Sequence, residues 1–573
     1  MKKLTLNLLT LGAAAIILSS CGGVSKMVEN SNTVKYEVTP SPLETQGGEV
    51  AVTIKTTFPE KYFNKKAVIE VTPVIKYDGG RTELEKTTLQ GESVEENNKV
   101  IPYVGGDVTI SGKVPYKPEM RNSDLMIEMS ARIKNKDAVA IPAIKIADGV
   151  IATETLVKND PQSIVMKDKF QRVTSDSYAA DIHYVINQAE IRNSELKADD
   201  IKSLQNELSS AVKDPSYTIK GAQISSYASP DGPMDLNEKL SGNRGNAAEK
   251  YLTQQLKKMK VEGFDAEGFL KSIETAEDWD GFKKLMEASD VKDKELILRV
   301  LSMHSDPNVR EQEIKNLSAA FEEIKTEILP KLRRSQMAVN VDVTGLSDEE
   351  IAALAKDNID SLNLEETLYA ATLTTDMNEK LRIYEAAAKN NPGDVRAINN
   401  VGYIQMMLGN TSDAKQAFEK AQQIEDNDVV KNNLGTVALA DGDMATAEQL
   451  FTSAMGAGDA VNYNLGIIKI KQGDYDAAVN YFGNKPSFNA ALAQLLNDET
   501  DKSISTLGEL GETDDAMVYY LKAVAGARGN NIELAVNNLR RAFELDSSLK
   551  QFAKEDAEFL KVLTNEAVAA LLD

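Results

Sequence analysis

Between residues 227 and 244 the chain places polar and charged side chains at spacings suited to holding a ligand. The run Tyr227-Ala228-Ser229-Pro230-Asp231-Gly232 reads as a strand end passing into a polar loop, and Asn237, Leu240, Ser241 and Arg244 follow at helical spacing. A hydroxyl, a carboxylate and a planar guanidinium thus fall on one strand-to-helix turn, an arrangement that makes a site. The other reading of Ser229-Pro230-Asp231-Gly232 is a tight turn with no ligand. Bond-making chemistry is poorly served elsewhere. His183 and His304 are the only histidines, they lack metal-ligand spacing, and the one cysteine is Cys21. There is no Gly-x-Ser-x-Gly elbow and no Walker loop, and Tyr77-Asp78-Gly79-Gly80 reads as a turn. The expectation is a binding protein, not an enzyme, without metal or cofactor.

Three regions must position these residues in a multidomain chain. Residues 34–160 carry short alternating runs: Val50, Val52 and Ile54; Val68 to Ile75; Val108 and Ile110; and Leu125, Ile127, Met129, Ala131 and Ile133. Such runs separated by turns predict an N-terminal β-sandwich. Within it, Phe58-Pro59-Glu60-Lys61-Tyr62-Phe63-Asn64-Lys65-Lys66 is either a binding loop or a loop edging the sandwich. Residues 175–345 alternate strand and helix, which predicts a central α/β domain. Ile182, Tyr184 and Ile186 form one strand, Ile201, Leu204, Leu208 and Val212 one helix face, and Tyr217 to Ser226 the next strand. About residues 253–330, with Trp279 and Phe282, read as a helical insertion.

Residues 364–573 are helical and repetitive. Gly402, Gly409, Ala414, Phe418 and Ala421 recur 33 residues later as Gly435, Gly442, Ala447, Phe451 and Ala454; Gly466, Gly473, Ala478 and Phe482 follow after a further 31. This resembles the tetratricopeptide (TPR) pattern, whose period is about 34, and predicts an all-α solenoid in which each unit packs only on its neighbours. The phenylalanines are expected between successive repeats, an earlier unit ends at Tyr384, Ala387 and Pro392, and residues 485–513 form a degenerate unit. Around the helix glycines lie Asn399, Asn400, Tyr403, Asn432, Asn433, Tyr463 and Asn464. They either line a protein-binding groove, with asparagines hydrogen-bonding the backbone of an extended peptide, or are plain helix-surface residues.

The chain opens with Lys2-Lys3, an apolar run to Leu18, and Leu18-Ser19-Ser20-Cys21. That run is shorter than the roughly 20 residues of a membrane span and reads as a secretion signal over 1–20. Its end resembles a bacterial lipobox, which implies lipidation of Cys21, a short linker over 21–33 and attachment to a membrane. Removing residues 1–20 takes away two lysines and moves the net charge from −23 to −25, so nucleic acid is a poor partner. Neither an aspartate nor an acidic run follows Cys21, and the expected location is the periplasmic face of the outer membrane.

The Tyr227–Arg244 stretch resembles the OmpA-like peptidoglycan-binding family, in which a strand ends in a Gly-(His/Tyr)-(Thr/Ala)-Asp loop and the next helix opens Asn-x-x-Leu-Ser-x-x-Arg-Ala. Asn237, Leu240, Ser241 and Arg244 keep that register, and Leu332-Arg333-Arg334 resembles the family's terminal Asn-Arg-Arg-Val strand. The resemblance implies a clamp on the diaminopimelate of a peptidoglycan stem peptide: an aspartate takes the ammonium, the arginine the carboxylate. Ser229 stands where that aspartate belongs, and Asp231 lies two residues on. The whole architecture resembles envelope lipoproteins of Bacteroidetes. Two expectations follow: an envelope scaffold that contacts peptidoglycan and recruits proteins through its TPR array, or an adaptor of an outer-membrane complex whose central domain has lost that ligand.

Overall fold

The structure is a computed structural model that describes residues 23–572, so the expected signal peptide and Cys21 lie outside the described residues. Its contacts divide the chain into two units: the residues up to Met166 with Asn391–Asp573, and Lys167–Asn390.

In the first unit, two sheets share one core. The long strand Glu49–Phe58 pairs with Lys35–Thr39, Leu43–Gln46 and Gly106–Pro115; Ala67–Tyr77 pairs with Ser123–Ile133 and Thr87–Gly91. Strict alternation decides which face is buried, and Val50, Val52 and Ile54 meet Ile69, Val71, Ile127 and Met129 in the interior. The Phe58–Lys66 segment edges the sandwich: Tyr62 and Phe63 are buried, and their rings stand 5.6 and 5.5 Å from that of Phe58.

The same unit holds five antiparallel helix pairs, from Val395–Met407 with Thr411–Ile424 to Ala516–Arg528 with Ile532–Leu545. A methyl group built on Gly402, Gly435 or Gly466 would come within 2.5, 2.5 or 2.6 Å of the ring of Phe418, Phe451 or Phe482. Each phenylalanine stands on the glycine of its own repeat, because only hydrogen at that position admits the ring, and Phe418 also packs on Leu434 and Val437 of the next repeat, between repeats as expected. The unit expected to be degenerate is a complete pair, Phe488–Leu496 and Thr500–Glu509. Its Ala491 replaces the glycine, which hid the repeat.

Sandwich and solenoid are joined by buried polar groups. Glu154 accepts hydrogen bonds from Thr45, from the Gly47 and Gly48 amides and from the Tyr475 hydroxyl. Arg528 binds Glu558 in a fork at 2.6 to 3.0 Å and reaches Glu44 at 3.0 Å, while Thr153 donates to Glu558. Burial opposes the Arg528 charge, but Glu558 and Glu44 outweigh it and hold its pKa above the usual value. Nearby, Asp556 accepts from Tyr520 at 2.6 Å. Burial first, and then the charge of Glu558, push Asp556 up to about 6.

In the second unit a four-stranded sheet runs in the order Val173–His183, Arg334–Thr344, Tyr217–Tyr227, Leu270–Thr275. Helices Asp199–Ala211 and Met234–Met259 supply Leu204, Leu208, Ala248, Leu252 and Leu256 to a core with Ile182, Ile224, Met337 and Val339. The first strand stops at His183, short of the expected Ile186, which is 50% exposed; Val212 likewise lies just beyond its helix. The segment expected to be a helical insertion contains the strand Leu270–Thr275, parallel to Tyr217–Tyr227. It is an edge strand with Lys271, Ser272, Ile273 and Glu274 exposed, so no apolar alternation announced it. The helices start at Trp279 and carry their own core of Phe282, Met286, Ile297, Leu301, Ile324 and Leu332. Helices Leu364–Ala370 and Met377–Asn390, expected with the repeats, belong to this unit. They are tied to the start of the α/β domain, where Phe170 stacks on Tyr369 at 4.4 Å and the Lys169 amide donates to Glu365.

Three variants test these features. Gly435→Ala is expected to cost about 1–3 kcal/mol in chemical denaturation through overpacking against Phe451. Gly508→Ala, on an exposed helix position with nothing within 4 Å, is expected to be neutral or to stabilise by up to about 1 kcal/mol. The third concerns pH. The folded chain holds the Asp556 proton more tightly than the unfolded chain, with a pKa of about 6 against 3.8. Its contribution to stability is therefore fully present at low pH and is lost as pH rises through about 6. Asp556→Asn is expected to flatten that part of the profile; an unchanged profile would refute the assignment.

Candidate functional site

The loop after strand Tyr227 is built as a polar knot. Asn237, in the first turn of helix Met234–Met259, donates through Nδ2 to the carbonyls of Ser229 at 3.2 Å and Gly232 at 2.9 Å, fixing the loop's return. Ser241 donates to the Glu238 carbonyl of its own helix at 3.0 Å, and Leu240 is buried. Ser229 donates to Asp231, and Arg333 reaches both, at 3.1 Å to the hydroxyl and 3.2 Å to the carboxylate. Asp231 thus brings a carboxylate beside Ser229, but the charge that faces it is Arg333.

Arg244 points into the domain. It is 1% exposed and donates to the carbonyls of Tyr227 at 2.9 Å and Gln188 at 3.1 Å, with Val185 at 3.5 Å, while its guanidinium lies 5.2 Å from the Tyr184 ring. Burial, with the neighbouring Arg333 adding to it, brings its pKa down to about 10, so it stays charged at neutral pH. Its donors hold the strand ends together. On the outer side of the loop, Pro230 and Asp231 face Trp279, Phe282, Ile314 and Leu329 of the helical cap across a space of about 10 Å³. That is room for about one water molecule and for no amino acid.

The solenoid presents a second site. In an extended chain the N–H and C=O of one residue point to the same side and those of the next residue to the other. One asparagine amide, with a donor and an acceptor side by side, closes two bonds with such a residue. Four do so here. Asn400 holds Met166 at 2.8 and 2.8 Å, Asn433 holds Ile164 at 2.7 and 2.8 Å, Asn464 holds Gln162 at 2.6 and 3.0 Å, and Asn489 holds Lys158 at 2.9 and 2.9 Å. Asn399 and Asn432 add bonds to the Ile164 and Gln162 carbonyls at 3.1 and 3.0 Å and accept from Asn433 and Asn464. All six amides are buried and engaged. At the place in its repeat where Asn432 stands in the preceding one, Tyr463 donates to the Asp160 carboxylate at 2.8 Å, and burial with Asp160 raises its pKa.

The segment in this groove is the chain's own residues 158–166, which leave the sandwich after Val157. The groove that the sequence reading offered to a separate protein is filled from within. Tyr403 is half-buried on the Asn400 helix and contributes none of the hydrogen bonds that hold the segment. Asn489, Thr436 and Asp515 were missed: Thr436 pairs with Ser163 at 2.8 Å, and Asp515 with Lys158, whose ammonium lies over Phe488. A signal for Asn489 existed. The triplets Asn400-Val401-Gly402, Asn433-Leu434-Gly435 and Asn464-Leu465-Gly466 are matched by Asn489-Ala490-Ala491, asparagine two residues before the small helix-contact residue.

The tetratricopeptide repeat family model matches residues 395–428 and 460–483. No curated protein matches the chain. Among solved structures, a tetratricopeptide repeat protein from Parabacteroides merdae is 16% identical over 36% of this chain and 90% of its own, with a TM-score of 0.29. YrrB, described as a TPR protein with an unusual peptide-binding site, is 18% identical over 29% of this chain and 92% of its own, at 0.25. The Cut9–Hcn1 assembly of the APC/C is 13% identical over 67% of this chain and 60% of that one, at 0.32. TPR repeats are protein-interaction modules, and the chain carries them.

The clamps predict an alternating pattern of amide hydrogen exchange. The amides of Gln162, Ile164 and Met166 are expected to exchange more slowly than those of Ser163 and Val165; uniform exchange along the segment would rule out the two-point geometry.

Proposed function

We propose that this chain is a non-enzymatic scaffold of the cell envelope, lipid-anchored through Cys21 at the periplasmic face of the outer membrane, that assembles protein partners. The observation that carries the scaffold reading is the solenoid, joined to the sandwich through Glu154, Arg528 and the asparagine clamps, since a fused pair of this kind presents its outer faces in a fixed arrangement. The central domain supports an OmpA-like origin in its strand, polar loop and helix, with Arg333-Arg334 entering the last strand.

For that domain the adaptor reading is favoured over peptidoglycan contact. Arg244 spends its donors on three backbone carbonyls, Asp231 is paired with Arg333, and the helical cap lies on the loop. Opening the site would break the Arg333–Asp231 pair and the Arg244 carbonyl bonds before any ligand bond forms.

One fractionation tests both halves. Wild type is expected to sediment with membranes and Cys21→Ser to become soluble, while the purified soluble chain does not co-sediment with sacculi. Sacculus binding that is lost in Asp231→Asn would restore the wall-binding reading, and a membrane-independent wild type would overturn the anchor.

A further inference from the structure

The asparagine clamps recognise mainly backbone, while the side chains of Lys158, Asp160 and Ser163 are met by Asp515, Tyr463 and Thr436. The paired clamp bonds of Asn400, Asn433, Asn464 and Asn489 end on the main-chain N–H and C=O of residues 166, 164, 162 and 158, and Asn489 donates in addition to the Asp160 carboxylate at 3.1 Å. None of the side chains from Val157 to Met166 is fully buried, whereas Thr153 and Glu154, just upstream, are. The segment is paired with no strand. Beside it the groove stays open: a cavity of about 440 Å³, bordered by Gln162, Tyr463, Asn480, Tyr481 and Asn484, adjoins the clamped chain. A space of that size accommodates several side chains.

We propose that residues 158–166 are a resident, exchangeable ligand of this groove, and that a partner's extended protein segment, read through its backbone, takes their place. This rests on the scaffold reading above and adds where and how a partner is admitted. The cavity beside Gln162 gives an incoming segment its first contact, and the clamps at 162, 164 and 166 are then exchanged one residue pair at a time. The tether gives the resident segment an effective concentration on the order of millimolar. Weak extended peptides are thereby excluded, and a partner enters only with additional contacts elsewhere on the scaffold.

The test uses the full-length soluble chain and a fluorescent synthetic peptide with the sequence of residues 157–167. Proline removes the N–H that each clamp accepts and fixes φ, so the variant Gln162→Pro, Ile164→Pro, Met166→Pro empties the groove. This variant is expected to bind the peptide about tenfold or more tightly than wild type. A peptide that keeps Lys158, Asp160 and Ser163 but has the residues at 162 and 164–166 permuted is expected to bind within about threefold of the native one, because backbone carries the recognition at those positions. Asn433→Ala with Asn464→Ala, added to the proline variant, is expected to abolish binding. A folded proline variant that fails to bind, a wild type that binds equally well, or binding indifferent to both asparagines would overturn the proposal. If the proline variant does not fold, hydrogen exchange on wild type decides: millimolar peptide is expected to speed exchange at Gln162 and Ile164, and unchanged rates would overturn it. Partners still captured by a chain that fails these tests would leave the scaffold reading standing and remove only the groove exchange.

Discussion

Side-chain amides substituting for a neighbouring β-strand hold the first unit together. A buried asparagine left without partners costs about 1–3 kcal/mol, and six such residues line the groove. They are tolerable in a solenoid interior only because the segment at 158–166 satisfies them, and that segment is held in place only because they do. The bond network from Asn399 through Asn433 and from Asn432 through Asn464 also links one repeat to the next, so linker and repeats support each other. Glu154 and Arg528 extend the same logic to the sandwich: ionised groups are buried where several donors or acceptors converge on them.

The α/β domain uses its charges in the opposite direction from a ligand site. Arg244 ties the turn at Val185 and Gln188 to the strand end at Tyr227, and Arg333 closes the Ser229–Asp231 turn. The cap of helices beyond Trp279 then covers the turn with apolar surface. The polar groups of this strand-to-helix turn are satisfied by groups of their own domain.

The sandwich strands and the repeats were legible because each rests on a local rule. Alternation at Val50, Val52 and Ile54 states which face is buried, and a glycine that must admit a phenylalanine recurs wherever the helix pair recurs. The strand Leu270–Thr275 was not legible, since an exposed edge imposes no pattern, nor was the repeat in which Ala491 replaces glycine. The groove asparagines stood out by type and spacing, but their occupant lies 234 to 331 residues away and carries no apolar periodicity. The inward direction of Arg244 was equally hidden, because its acceptors are carbonyls, which every residue possesses.

The spacing of the clamps has a consequence for how this chain can vary. Clamped residues are all even-numbered, and Pro161, which has no N–H to offer, sits at an odd position where nothing is asked of it. Residue identities at 162, 164 and 166 are thus loosely held while the spacing is strict, since inserting or deleting one residue between them would turn a clamped N–H and C=O away from its asparagine. At the clamped positions the solenoid acts on its linker as a ruler, more tolerant of a change in wording than of a change in length.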